Sequence, residues 1–289
     1  VRSRRQRQMC IRDRNRGVNI MNGLRSVTTG TNDLSKTKEL FSNILGLNVA
    51  DKGQALRFGD AELNSGTRIH FVEVPNYINN NNHIENIGLR VPSDEGIEEY
   101  QSILKQHQIS FSSPTDLNGH KYFNFQDQNG QTFNIYSNEH NSGTPLGIPT
   151  FESNVNPLHQ IQGLGPVILK VNDIVLTQSI LTRVFGLEHF AEYTPSEHAD
   201  FKIQVFRIGD GGLGGELHVY ASNEEILMPE HGILEQIEFG IESKSQFQKT
   251  IEELESIGIP YQTLDQEGER SLRITEKSGI TFILTLETS

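Results

Sequence analysis

Ten histidines, a single cysteine and a few close-set carboxylates are the residues of this 289-residue chain that could bind a metal, attack an electrophile or move a proton. Their spacing removes most of those chemistries. No two histidines stand four apart, the interval that would put two imidazoles on one helix face for a metal. Cys10 is alone, so it has no partner within the chain for a disulfide or a metal clip. Glu252, Glu253 and Glu255 look like paired carboxylates, but they fall on a helix-like stretch beginning at Phe247 and read as a solvated face. The run from Asp210 to Gly215 is glycine-rich without opening a helix, so it lacks the N-terminal amides that hold a phosphate; it reads as a hairpin turn. Two histidines stand apart, His70 in RIHFVEV and His218 in ELHVY. Each is flanked by alternating apolar residues, the pattern of a strand with one face against a core. The other eight (His83, His107, His120, His140, His159, His189, His198 and His231) fall in polar or loop-like stretches and are expected to be solvated.

The net charge of −12 conceals two unlike parts. Seven Arg against one Asp make the first twenty residues +6, which leaves eighteen basic and thirty-six acidic residues, or −18, for the rest. A body that acidic repels nucleic-acid phosphates and anionic membranes, so neither is an expected partner. Residues 1–20 lack the apolar stretch of an export signal and the apolar periodicity of a packed element. They read as a non-native basic tail, with Met21 the natural start. Cys10 leaves with that tail, and a body without thiols fits a cytoplasmic location. No apolar run approaches the roughly 18 residues of a membrane span.

The elements that would carry His70 and His218 recur four times. Helical spacing of apolar residues appears over 34–45, 97–108, 174–185 and 247–257. Each stretch is preceded by one strand-like run (23–28, 84–91, 163–171, 232–241) and followed by others, the closing ones being 68–74, 131–136, 216–220 and 279–286. Every unit therefore reads β-α-β-β-β. Two of the helices end in nearly the same words, LFSNILGL and ILTRVFGL, with Gly46 and Gly186 where a helix needs a residue that tolerates a left-handed stop. The division expected from this is a first domain at 21–138, a linker rich in Asn, Gly, Pro and Ser at 139–160, and a second domain at 161–289.

Four such units in register, opening with GLRSVT, passing through FQDQNG before QTFNIY, and resuming with IQGLGPVIL and GILEQIEF, resemble the vicinal-oxygen-chelate superfamily of glyoxalases and ring-cleaving dioxygenases. The likeness covers residues 21–289 and is nearest to the two-domain dioxygenases of hydroquinone type. It implies an α+β fold in which four β-α-β-β-β modules pair into two cup-shaped domains. It also implies a facial site of two His and one Glu for Fe(II) or Mn(II) on the inner faces of first and last strands. At those positions this chain has Ser26 in place of the first His, Gln236 in place of the second and Ile283 in place of the Glu. A frame slip of one residue offers Arg25, Glu235 and Phe282 or Leu284, which strand alternation turns away from the cup. His70 is expected in the cup with Ser26, Gln236 and Ile283; His218 is expected in the other with Asn86, Asn134 and Pro166.

One imidazole per cup, with a hydroxyl and an amide, is a weak set for a transition metal. The reading that follows is a cup for a small aromatic or electrophilic molecule, lined by Ser26, His70, Gln236, Ile283, Asn134 and His218, with no metal or other cofactor. Ser26 activated by His70 is the available nucleophile arrangement in that cup. The contrasting reading is an iron- or manganese-dependent ring-cleaving dioxygenase or glyoxalase-type lyase with other ligands, and a third is a non-catalytic homodimer.

Overall fold

A computed structural model describes residues 21–80, 82–195, 201–228, 232, 234–266 and 268–287. The basic segment 1–20 with Cys10, and also His198 and His231, lie outside the described residues. Four β-α-β-β-β modules follow one another as read. The first holds β1 (Gly23–Thr31), α1 (Leu34–Lys38, continuing over Glu39–Ile44), β2 (Asn48–Asp51), β3 (Ala55–Gly59) and β4 (Arg68–Glu73). The second holds β5 (Ile84–Val91), α2 (Asp94–Gln106), β6 (Thr115–Leu117), β7 (His120–Gln126) and β8 (Thr132–Ser137). The third holds β9 (Gly163–Val171), α3, β10 (Glu188–Tyr193), β11 (Ile203–Arg207) and β12 (Glu216–Ala221). The fourth holds β13 (Gln236–Ile241), α4 (Lys244–Ile257), β14 (Gln262–Gln266), β15 (Glu269–Thr275) and β16 (Thr281–Leu286).

Helices α1 and α3 share one construction. Asp33 and Asp173, 140 residues apart, cap the N-termini by accepting from the backbone amides of Lys36 and Leu176, each at 3.0 Å. The first turns, Leu34–Lys38 and Ile174–Ser179, then widen over Glu39–Ile44 and Ile180–Val184. In that wider coil Leu45 donates to Leu40 O and Phe185 to Ile180 O. Gly46 and Gly186 follow at φ +78° and +69°, the left-handed stops that the repeated L-G-L and F-G-L endings call for.

Two eight-stranded sheets result, in the orders β14-β15-β16-β13-β1-β4-β3-β2 and β10-β11-β12-β9-β5-β8-β7-β6. Each joins modules from opposite halves of the chain. The first is sewn by the antiparallel pair β1·β13 and the second by β5·β9. Packing joins the modules the other way. On the face away from the cup, Phe41, Phe58 and Phe71 of the first module meet Phe133 of the second, with Phe41 4.8 Å from Phe71 and 5.0 Å from Phe133 between ring centroids. Phe185 of the third module packs at 5.5 Å on Phe239 of the fourth. All of these rings are fully buried, at roughly 1.5–3 kcal/mol each.

Strand alternation separates that core from the cup. On β4, Ile69 and Phe71 go to the core while His70 and Val72 line a cavity; on β16, Phe282 and Leu284 go to the core while Ile283 lines the same cavity. Among the described residues no helix is long and apolar enough to cross a membrane.

Candidate functional site

Ser26, His70, Gln236 and Ile283 line a single cavity of about 530 Å³ in the concave face of the first sheet. They come from the four central strands β1, β4, β13 and β16, which is why residues more than 200 positions apart converge. Asn134 lines a different cavity, of about 660 Å³, in the second sheet, together with Asn86. His218 lies on the same face and reaches that cavity through Tyr193. Pro166 does not line it. The register of β5 against β9 shifts between Ile87 and Leu89, and Ile168, directly opposite Asn86, takes the lining position instead.

Ser26 does not meet His70. Its hydroxyl donates to Glu238 Oε2 at 2.5 Å, and Glu238 also accepts from Thr285 Oγ1 at 2.6 Å and from Arg25 Nη1 at 3.3 Å. The nucleophile arrangement expected from sequence is therefore absent. Arg25 corrects a second expectation: it is the extra residue of a bulge between Leu24 and Ser26, and its guanidinium reaches the cavity-lining Glu238 and Glu269 instead of turning away. Glu235 does turn away, receiving the backbone amides of His83 and Ile84.

His70 Nε2 is buried and has no hydrogen-bond partner among the described residues. Burial holds the His70 pKa down to about 3, and the nearby Arg57, Arg68 and Arg25 guanidiniums push the same way. The ring is neutral at physiological pH. Arg57 stands directly across from His70 in the β3·β4 register, and Arg273 directly across from Ile283 in the β15·β16 register. Both guanidiniums line the cavity, and each has a buried Nε without an acceptor among the described residues. Among the described residues no three His, Cys, Asp or Glu side chains cluster as a metal set. In the cavity itself the imidazole stands among cations, and Glu238 is already held by three donors.

The second cavity is lined by phenols and amides. Tyr122 stacks on Tyr136 at 4.8 Å, and Asn134 Nδ2 donates to Tyr136 Oη at 3.0 Å while its Oδ1 is buried without a partner among the described residues. His218 is 1% exposed and lies 3.0 Å from both Tyr193 Oη and Glu216 Oε2. The carboxylate can only accept, so in the neutral ring Nε2 donates to Glu216 and Nδ1 accepts from Tyr193. Burial pushes the Tyr193 hydroxyl's pKa up, with Tyr122, Glu216 and Glu85 acting in the same direction.

Of the histidines expected in solvent, His107, His140 and His189 are exposed, whereas His120 and His159 are half-buried. His83 is buried at 1% exposure, with Nδ1 3.0 Å from Glu235 and Nε2 2.8 Å from Ser278 Oγ; it ties the first half of the chain to the fourth module. Glu252 and Glu255 are exposed and Glu253 pairs with Arg183, as a solvated helix face requires. The Asp210–Gly215 run links the antiparallel strands β11 and β12 as a turn.

Residues 23–135 match the family model described as the glyoxalase/bleomycin resistance protein/dioxygenase superfamily. Over 215 residues, 71% of this chain and 67% of the other, the sequence is 28% identical to the Bacillus subtilis (strain 168) protein named "Putative ring-cleaving dioxygenase MhqA". Among solved structures, a "putative dioxygenase" from Bacillus subtilis subsp. subtilis str. 168 superposes with a TM-score of 0.72 at 17% identity, covering 94% of this chain and 87% of that one. Glyoxalase I from Zea mays superposes at 0.63 and 12% identity, covering 91% and 92%. Both show a shared fold.

Proposed function

We propose that the chain, which is related to ring-cleaving dioxygenases and glyoxalases, belongs to the glyoxalase/bleomycin resistance/dioxygenase superfamily and that its first cup binds a small aromatic or electrophilic molecule through side chains alone, without metal catalysis. The observation that carries this reading is the donor set. Ser26, Gln236 and Ile283 stand at the positions where the related dioxygenases are expected to hold metal, and the one imidazole nearby, His70, is flanked by the Arg57 guanidinium. A divalent cation there would meet cations and neutral oxygens, with no free carboxylate to offset its dehydration. These residues do not fit an Fe(II) or Mn(II) ion. They do fit a ligand: a neutral ring nitrogen without a partner, an amide, and the apolar Ile283 in a cavity of about 530 Å³, within the usual size of small-molecule sites.

The name of the 28% identical relative favours the second reading, an iron- or manganese-dependent ring-cleaving dioxygenase or lyase with other ligands. Elemental analysis of the purified full-length chain separates the two. The expected result is far less than one Fe, Mn or Zn per chain and a melting temperature indifferent to chelators. Ser26→His, Gln236→His and Ile283→Glu together should then create a site through which Mn(II) raises the melting temperature. One tightly held metal per chain, released by His70→Ala, would overturn the proposal in favour of the second reading.

A further inference from the structure

We propose that the first cup is built for a small aromatic carboxylate, with Arg57 and Arg273 as the two groups that take its negative charge. The inference rests on the reading of this cup as a ligand pocket and adds the charge class of its occupant. In a chain with thirty-seven acidic and twenty-five basic residues, the walls of this one cavity carry Arg57, Arg273 and Lys52, with Arg25 and Arg68 close behind. The lining acids are already engaged: Glu238 accepts from Arg25, Ser26 and Thr285, and Glu269 pairs with Arg25 at 2.6 Å. Arg57 and Arg273 have neither an acidic partner nor a hydrogen-bond acceptor among the described residues, and the Nε of each is buried. A buried guanidinium donor left unmet is costly, and an oxyanion that accepts from it removes that cost.

Placement argues the same way. Arg57 faces His70 across β3·β4, and Arg273 faces Ile283 across β15·β16, so the two occupy equivalent positions in the first and fourth modules and approach one cavity from opposite sides of the β1·β13 seam. In the second sheet the same two positions, opposite Asn134 and His218, are Asn124 and Val205. The paired cations are therefore a property of this cup and not of the module. Between them, His70 Nε2 is free to bond a ring substituent and Ile283 offers apolar contact to the ring itself.

Calorimetric titration of the full-length chain with 2-hydroxybenzoate and with its neutral isostere 2-hydroxybenzamide tests the assignment. The carboxylate is expected to bind one per chain, at least about tenfold more tightly than the amide, and to weaken as salt is added. Arg57→Gln and Arg273→Gln should each weaken the carboxylate about tenfold or more and the amide by much less, since its carbonyl accepts from a guanidinium without a charge; an unchanged circular dichroism spectrum is the control for folding. Arg57→Lys and Arg273→Lys should keep most of the affinity. Equal binding of carboxylate and amide, both lost in His70→Leu, would overturn the charge assignment and leave the pocket reading intact. Binding of neither, with one Mn(II) bound per chain, would overturn both.

Discussion

Replacing His70 with glutamine should make the protein less sensitive to acid. The folded ring takes a proton only near pH 3, because it is buried and faces Arg57, Arg68 and Arg25, whereas in the unfolded chain it takes one near its ordinary value of 6.5. Between those values the unfolded state binds one proton more than the folded state, so stability falls as pH falls through that window. At pH 4.5 the gap of roughly two units corresponds to about 3 kcal/mol lost. Solvent reaches part of this half-buried ring, and halving the figure for that screening leaves about 1.5 kcal/mol. Urea denaturation of wild type and His70→Gln at pH 7.5 and pH 4.5 isolates this group, since the other acids titrate alike in both proteins. Wild type should lose about 1.5–3 kcal/mol more than the variant over that interval. Parallel losses would refute the account, as would a His70 ring that titrates near 6.5 by NMR.

Gly46→Val and Gly186→Val should each lower the melting temperature in thermal melts. Both force a β-branched residue to positive φ, worth about 1 kcal/mol or more, and a Cβ at position 46 would also clash with Ser153 Oγ and lie 2.9 Å from Val155 Cγ2. Arg90→Met should destabilise by about 3 kcal/mol in urea. Its fully buried guanidinium donates to Leu164 O, Thr144 O, Pro145 O and Asn138 Oδ1, fixing the 138–160 connection to β5 and β9, and the substitution leaves those carbonyls unmet.

What could be read from sequence followed the period of two. Three of the four closing strands were legible because IHF, FNI and LHV alternate apolar and polar residues, which puts His70, Asn134 and His218 on the concave faces; FIL is apolar throughout, and Ile283 is placed by its register in the family's closing motif. The same rule would have found Glu238, two residues beyond Gln236 on β13, and Arg57 and Arg273 in ALRFG and ERSLRIT, had the outer strands been followed as closely as the inner ones. Arg25 was hidden for a different reason: a bulge breaks the alternation locally, and nothing in GLRSVT announces it. His83 escaped because its burial is made by Glu235 and Ser278, more than 150 residues away, within a stretch that is polar by composition. The relay of Tyr193, His218 and Glu216 crosses from β10 to β12, which are not neighbouring strands in the sheet, so strand-by-strand reading could not assemble it.

The architecture explains why a cup can change its chemistry while the fold persists. In every module the odd and even residues of a strand answer to different demands. Phe71, Phe133, Phe239 and Phe282 sit at 0% exposure in the convex core, where replacing a Phe by Ala costs about 3–5 kcal/mol. Their neighbours His70, Asn134, Glu238 and Ile283 face cavities, where the surrounding space absorbs changes in size and the cost of a substitution is set by hydrogen bonds and charge. Folding therefore constrains one residue of each pair tightly and the other loosely. On the proposed reading, a site built from the loosely constrained set carries Ser26, Gln236 and Ile283 where metal ligands are expected and still leaves the aromatic clusters that join the modules untouched. The consequence for Arg57 and Arg273 is the reverse. Folding does not require two guanidiniums with buried, unmet donors in one cavity, so the proposed anionic occupant is what accounts for their presence.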